Sequence, residues 1–289
     1  MCYSICMKII IFGHTGMLGK ALVKHLNNSY EIVGISRNAN SNLSIENHLW
    51  QDLSNVLKKN KFDIAINLCG ESIGQPWHQW SRQKIYDSRV NVTKNIVNLF
   101  SNKDIHLINA GGVGIYDSTA SLQNKTYEEN INPAGFLQKL AFDWEKEANK
   151  HPHTTILRTA VVMKKNDGVL KKMLLGKQFK LLSQFGNGKN PFPWISIDDW
   201  CHAVEFIIQK KLLGPINLTS PHLSNYNDVM DTLCKKTRAC KIIIPNMVVK
   251  TLLGEMGESL FLTGSHALPN TLIKSGFEFK QTSIEKVEI

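Results

Sequence analysis

The run Lys8-Ile-Ile-Ile-Phe-Gly-His-Thr-Gly-Met-Leu-Gly-Lys20 decides the fold, because a short apolar strand breaks on glycine there and reopens as a helix. Each glycine has its own reason. Gly13 lets the strand turn sharply, Gly16 lets backbone approach a pyrophosphate without a Cβ in the way, and Gly19 lets the helix pack closely on the sheet. The first helical amides and the positive end of the helix dipole then face the phosphates of a dinucleotide. Three such glycines also occur in purely structural strand-to-helix turns, but the strand before them and the amphipathic run Ala21 to Leu26 after them supply the context of the binding motif.

Outward from this corner, strand-like runs recur at Lys8 to Phe12, Glu31 to Ile35, Phe62 to Leu68, Ile105 to Ala110 and Thr154 to Thr159. Helical stretches are expected from Gly16 to Asn27, from Trp80 to Phe100 and from Pro133 to Asn149, with Pro133 in a first helical turn. This alternation predicts an α/β, Rossmann-type, doubly wound parallel sheet whose unbroken apolar strands are covered on both faces. Such a sheet places ligands at its strand C-terminal ends, here the loops Gly70 to His78 and Gly111 to Asn132. Beyond residue 165 the pieces are shorter, with Gly176, Gly186, Gly188, Pro191 and Pro193 close together. The expected division is therefore a dinucleotide-binding domain over 7–165 and a smaller C-terminal α/β substrate region over 166–289, some segments of which return to the first domain. A helix is expected near Asp198, with Asp198 and Asp199 favourable in its first turn.

The chain has 289 residues, 43% hydrophobic and 20% charged, which suits a globular protein with a full core and argues against disorder. No apolar run reaches membrane-spanning length, and the segment before Met7 lacks the features of a signal peptide and reads either as a dispensable extension or as the product of an upstream start codon. The expectation is a cytoplasmic protein without a membrane role. Six cysteines, Cys2, Cys6, Cys69, Cys201, Cys234 and Cys240, lack CxxC or zinc-like spacing and read as free thiols, with no metal site. The net charge of +10 is dispersed in solvated lysine faces rather than in a nucleic-acid-binding signature. The expected partner is a small-molecule substrate, not nucleic acid, and a homodimer is left open.

The second strand ends in Gly34-Ile35-Ser36-Arg37-Asn38. A carboxylate here would bond the ribose of NAD, whereas an arginine accommodates the 2′-phosphate of NADP, so Arg37 favours NADP unless it is only an exposed loop residue. Asp52 either holds the adenine edge or caps the following helix. The expected cofactor contacts are Gly13, Thr15, Gly16, Met17, Leu18 and Gly19 at the first corner, Ser36 and Arg37 at the second, Asp52, then Leu68, Cys69 and Gly70, and finally Ala110.

The motifs Gly13-His-Thr-Gly-Met-Leu-Gly19, Ile66-Asn-Leu-Cys-Gly-Glu71, Asp87-Ser-Arg-Val90, Leu157-Arg-Thr-Ala-Val-Val162, Trp194-Ile-Ser-Ile-Asp-Asp199 and Gly214-Pro-Ile-Asn-Leu-Thr219 together resemble an extended short-chain dehydrogenase/reductase. More narrowly, the chain resembles the atypical epimerase-family proteins, akin to nucleoside-diphosphate-sugar epimerases. The tail Leu253-Gly-Glu-Met256, Gly264-Ser-His-Ala-Leu-Pro269 and Gly276-Phe277 is similar to that subgroup's small C-terminal domain. The resemblance covers nearly the whole chain. It implies an NADP(H)-binding oxidoreductase or isomerase that works by hydride transfer on a small polar, sugar-like substrate.

The superfamily's proton-transfer trio of tyrosine, lysine and serine is missing: Leu137, Ala141 and Gly111 or Gly112 stand at those positions, although the subgroup itself commonly lacks the tyrosine and lysine. This favours the alternative of a non-catalytic cofactor-binding sensor or interaction module. Substitute carriers would come from Tyr116, Glu71, His78, Tyr86 or Arg89, with Tyr116 and Glu71 the catalytic candidates and Arg89 better suited to an anion. For each a structural role competes, Tyr116 through packing at its strand end. Trp77, Trp80 and Trp194 either cover a ring-shaped substrate or pack in the core, and Trp77, Arg89 and Trp194 are the candidate substrate contacts.

Overall fold

A computed structural model describes residues 7–37, 43–116, 133 and 135–289. Its elements are, in order, β1 (Lys8–Phe12), α1 (Met17–Leu26), β2 (Glu31–Ser36), β3 (Glu46–Leu49), α2 (Leu53–Lys59), β4 (Ile64–Asn67), α3 (Gln79–Asp87), α4 (Val90–Phe100), β5 (His106–Gly112) and α5 (Phe136–Ala148). There follow β6 (Thr154–Thr159), β7 (Val161–Met163), α6 (Gly168–Met173), β8 (Leu181–Phe185), β9 (Trp194–Ser196), α7 (Ile197–Lys210), β10 (Gly214–Leu218), α8 (Tyr226–Thr237), β11 (Cys240–Ile244), α9 (Asn246–Gly257) and α10 (Asn270–Lys274).

The predicted doubly wound sheet is present. Seven strands run in the order β10-β6-β5-β4-β1-β2-β3, and every pairing is parallel. Strands of such a sheet are buried on both faces, which is why Ile9, Ile10, Ile11 and Phe12 of β1 are all fully buried. One face is covered by α1 and α7, whose Leu22, Leu26, Val204 and Ile207 share a core cluster with Ile9 and Ile11. The other face is covered by α2 and α4, whose Val56, Ile96 and Phe100 pack with Ile10 and Phe12. The strand order reverses between β1 and its neighbours β4 and β2, and that is where an open α/β sheet forms its ligand crevice.

Two helix expectations are corrected. The stretch 80–100 is not one helix: α3 ends at Asp87 and α4 begins at Val90, because Ser88 Oγ donates to the Ile85 carbonyl (2.9 Å) and accepts the Glu71 amide (2.9 Å), drawing the backbone aside. Pro133 is not in a first helical turn; α5 starts at Phe136, after an extended Gly135 whose amide is taken by the Gln138 side chain. The edge strand β3 also escaped the sequence reading, since Glu-Asn-His-Leu carries no apolar alternation.

Past residue 165 the chain divides its loyalty. α7, β10 and α10 contribute Trp200, Ile216 and Leu272 to the core of the large sheet. A separate small core joins Met163, Leu182, Trp194, Tyr226, Met230 and Ile284, built around the two-stranded parallel sheets β11-β8 and β7-β9. Asp199 ties the tail back: buried in the first turn of α7, its carboxylate accepts the Lys280 amide (2.9 Å) and the Gln281 amide (2.8 Å), so this acid is structural. The four described cysteines, Cys69, Cys201, Cys234 and Cys240, are free, and Cys2 and Cys6 lie outside the described residues.

Candidate functional site: a dinucleotide crevice at the strand ends

The first corner separates its glycines as the sequence does. Gly13 has φ +81°, and a Cβ there would meet the Leu68 carbonyl group at 3.0 Å, so only glycine allows both the turn and the contact with the end of β4. A Cβ at Gly19 would stand 2.5 Å from backbone atoms of Gly13 and His14, which is how closely α1 packs on the turn. Gly16 differs: it is exposed, and a Cβ would meet nothing nearer than the Gly13 carbonyl oxygen at 3.4 Å. Its lack of a side chain is therefore not demanded by the protein's own packing. Gly16 is also the N-cap of α1, with no side chain on the first amides and no acidic residue in the first turn. The positive end of that helix is open to an anion. Thr15 is half-buried beside it, and Met17 and Leu18 lean on the core.

His14 is the residue the sequence reading missed. Its ring is fully buried against Gly34 of β2, where a Cβ would come within 2.7 Å of it, and its Nδ1 lies 3.3 Å from the Ile35 carbonyl oxygen. Burial lowers its pKa, with the Ile35 contact opposing the shift. The signal was available: a glycine inside the apolar strand Ile32-Val-Gly-Ile marks a place where something large lies against the backbone.

At the second corner Ser36 is buried and Arg37 is exposed. Burial pushes the Cys69 thiol up to about 12, with the charge of Arg37 opposing the shift. Asp52 lies in a single turn after β3 and precedes α2 without a side-chain capping bond. Leu68, Cys69 and Gly70 follow β4, and Ala110 lies in the C-terminal half of the adjacent parallel strand β5. Those two strand ends are locked by a buried network: Asn67 Nδ2 donates to Thr93 Oγ1 (2.9 Å) and Asn109 Oδ1 (2.7 Å), and Trp144 Nε1 donates to Thr93 Oγ1 (2.8 Å).

Arg89 stands at the break between α3 and α4. Its guanidinium rests against Gly70, where a Cβ would be 3.1 Å away, and 5.3 Å from the Trp144 ring centroid, and Nη1 donates to the Ile85 carbonyl (3.2 Å). Burial brings its pKa down to about 10, against the charge of Glu71. Glu71 is half-buried, with Oε1 accepting the Ser72 amide (3.1 Å). Glu71 and Arg89 thus flank Gly70, just past the end of β4.

Two predicted site residues are elsewhere. Tyr116 is 1% exposed, and its hydroxyl donates to Asn217 Oδ1 (2.6 Å) and accepts from Arg158 Nη1 (2.9 Å). Arg158 in turn grips Glu145 with two bonds of 2.9 and 2.8 Å. A hydroxyl bound on both sides in the core is not a proton shuttle, so Tyr116 is corrected to a structural residue. Trp194 is buried in the small core, with Nε1 on Ser224 Oγ (3.3 Å), and does not cover a ligand. Tyr86 donates to Asp143 (3.2 Å), and burial followed by that carboxylate raises its pKa. Trp77 does line a cavity. Together with His78 and Arg82 it faces Leu253 and Glu255 of α9 across a volume of about 270 Å³. Trp80 is exposed on α3. Leu137 and Ala110 share an apolar cluster with Trp77, while Ala141 packs with Tyr116 and Ala267. Among the described residues no cluster of three His, Cys, Asp or Glu could hold a metal, and no helix is long and apolar enough to cross a membrane.

A parallel sheet whose switch point carries an open, glycine-cornered helix N-terminus defines a Rossmann-type dinucleotide-binding protein. The chain belongs to the NAD-dependent epimerase/dehydratase family, whose model matches residues 9–218. Residues 244–287 match a domain of unknown function, DUF1731. The chain is 30% identical to Epimerase family protein Mb2239 of Mycobacterium bovis, covering 96% of this chain and 94% of that protein. It is likewise 30% identical to Epimerase family protein YfhF of Bacillus subtilis, covering 96% of each. Among solved structures, human epimerase family protein SDR39U1 with NADPH shares its fold at a TM-score of 0.86 and 22% identity, over 97% of each chain.

Proposed function

We propose that this chain binds NADP(H) in the crevice and exchanges hydride with a small polar, sugar-like substrate, as an oxidoreductase or isomerase of its family. The observation that carries the reading is Gly16, a glycine that the protein's own packing does not require, standing at an uncapped helix N-terminus. The space it leaves fits a pyrophosphate approaching backbone amides. Arg37, with no acid between Gly34 and Arg37, supports NADP over NAD, since its guanidinium can grip a 2′-phosphate. The NADPH in the human family member's structure points the same way.

When bound, the dinucleotide supplies or accepts the hydride. The chain's own contribution is to hold it by the α1 amides and to offer Glu71 as the group that exchanges a proton with the substrate oxygen, beside Arg89 as an anion ligand. Should the chain instead be a non-catalytic cofactor-binding module, the supporting observation is the spent Tyr116 together with Leu137, Ala141 and Gly111 or Gly112 at the superfamily's catalytic positions. NADPH consumption measured against a panel of hydroxy-carbonyl compounds separates the two. Turnover that falls about a hundredfold in Glu71→Gln with NADPH affinity kept supports catalysis; no turnover across the panel, with NADPH bound, supports the module.

A further inference from the structure

The cavity between the segment 76–82 and α9 is not built like a nucleotide site. Among the described residues its one lysine or arginine is Arg82, already committed: Nη2 donates to Glu255 Oε2 (2.7 Å), Nε donates to the Trp77 carbonyl (3.1 Å), and the guanidinium lies 5.1 Å from the Phe136 ring centroid. The second oxygen of Glu255 accepts the Phe136 amide (3.2 Å). The pair is neutral as a unit, and among the described residues of the wall no other lysine or arginine is offered to a diphosphate, whose recognition rests on charge-assisted donors. Trp77, Pro76, Leu252, Leu253 and Met256 give the described wall its apolar part, and His78 lines it as well.

The cavity is tied to the large sheet through Trp77, whose ring lies 5.0 Å from that of Phe136 at the start of α5. Trp77 packs against the same apolar cluster as Leu137, where the resemblance places the superfamily's tyrosine, and as Ala110 within β5. Opposite it, α9 is bent at Gly254, whose φ of 54° and ψ of −142° are not helical, and this brings Glu255 and Leu253 to the wall. An aromatic and aliphatic wall with one fixed ion pair suits a ring with apolar C–H faces and hydroxyl edges.

We propose that this cavity seats an uncharged, ring-shaped hydroxy-carbonyl compound, and not a nucleoside-diphosphate sugar. This rests on the proposed function and specifies its substrate class.

The test is calorimetric titration of the full chain, with NADP present, against three probes: inosose, the ring ketone of inositol; free glucose; and UDP-glucose. The expected result is saturable inosose binding, with UDP-glucose no tighter than glucose. Trp77→Ala should weaken inosose binding about tenfold. Because Trp77 is half-buried and its loss can perturb folding, Leu252→Asp, at a side chain 75% exposed, is the second variant and should weaken it similarly. Tighter binding of UDP-glucose than of inosose, inosose binding unchanged in both variants, or no saturable inosose binding would each overturn the proposal. NADPH titration of the same samples keeps the two readings apart: loss of NADPH binding alone sinks the cofactor assignment, while variant-sensitive inosose binding to the cofactor-free chain still supports the cavity.

Discussion

The two sides of the crevice use polar groups in opposite ways. On the β1–β2 side, the α1 amides and the Arg37 guanidinium are left facing outward, uncapped by side chains of the described residues. On the β5–β6 side, Tyr116, Arg158, Glu145 and Asn217 bond one another in the core. Groups kept for a ligand add nothing to stability until it arrives, whereas groups bonded together hold α5 to the sheet. The first side therefore reads as binding machinery and the second as scaffold, and substitutions should separate them.

The largest effect is expected on the scaffold side. Arg158→Met leaves the Glu145 carboxylate buried without its partner and should cost about 3–5 kcal/mol of stability, read by urea denaturation. A loss below 1 kcal/mol would mean that the network is not what secures α5. On the binding side, Gly19→Ala should cost about 1–3 kcal/mol, because its Cβ would press on backbone that cannot yield. Gly16→Val is the contrast: the fold should survive with a thermal midpoint close to the parent's, while NADPH affinity drops about a hundredfold. Retained affinity in a folded Gly16→Val variant would break the distinction between the two sides.

A smaller, pH-dependent effect comes from His106. Burial, reinforced by the neighbouring His153 and His151, brings its pKa down to about 4, so the folded protein keeps it neutral while the unfolded chain takes a proton near the ordinary 6.5. Its contribution to stability is whole above pH 6.5 and is lost as pH falls toward 4, at up to about 1.4 kcal/mol per pH unit. His106→Asn should flatten that part of the stability curve.

What the sequence disclosed follows the same divide. The glycine corner and the apolar strands were legible because local spacing and backbone sterics dictate them. Tyr116 and Trp194 were not, because a tyrosine at a strand end reads alike whether its hydroxyl faces a ligand or Arg158, a partner 42 residues away in the chain. The Arg82–Glu255 pair spans 173 residues and has no local signature at all. His14 is hidden for another reason: the glycine spacing specifies the turn of the backbone but not the face of the sheet on which the ring between the glycines is buried.

The binding of NADP(H) at the β1–β2 side is tested most directly by calorimetric titration of the unmodified chain with NADPH and with NADH, repeated on Arg37→Ala. The account predicts that NADPH binds about tenfold or more tightly than NADH and that Arg37→Ala removes this difference while leaving NADH affinity unchanged. Equal affinities in the parent chain, or NADPH affinity untouched by the loss of Arg37, would contradict it.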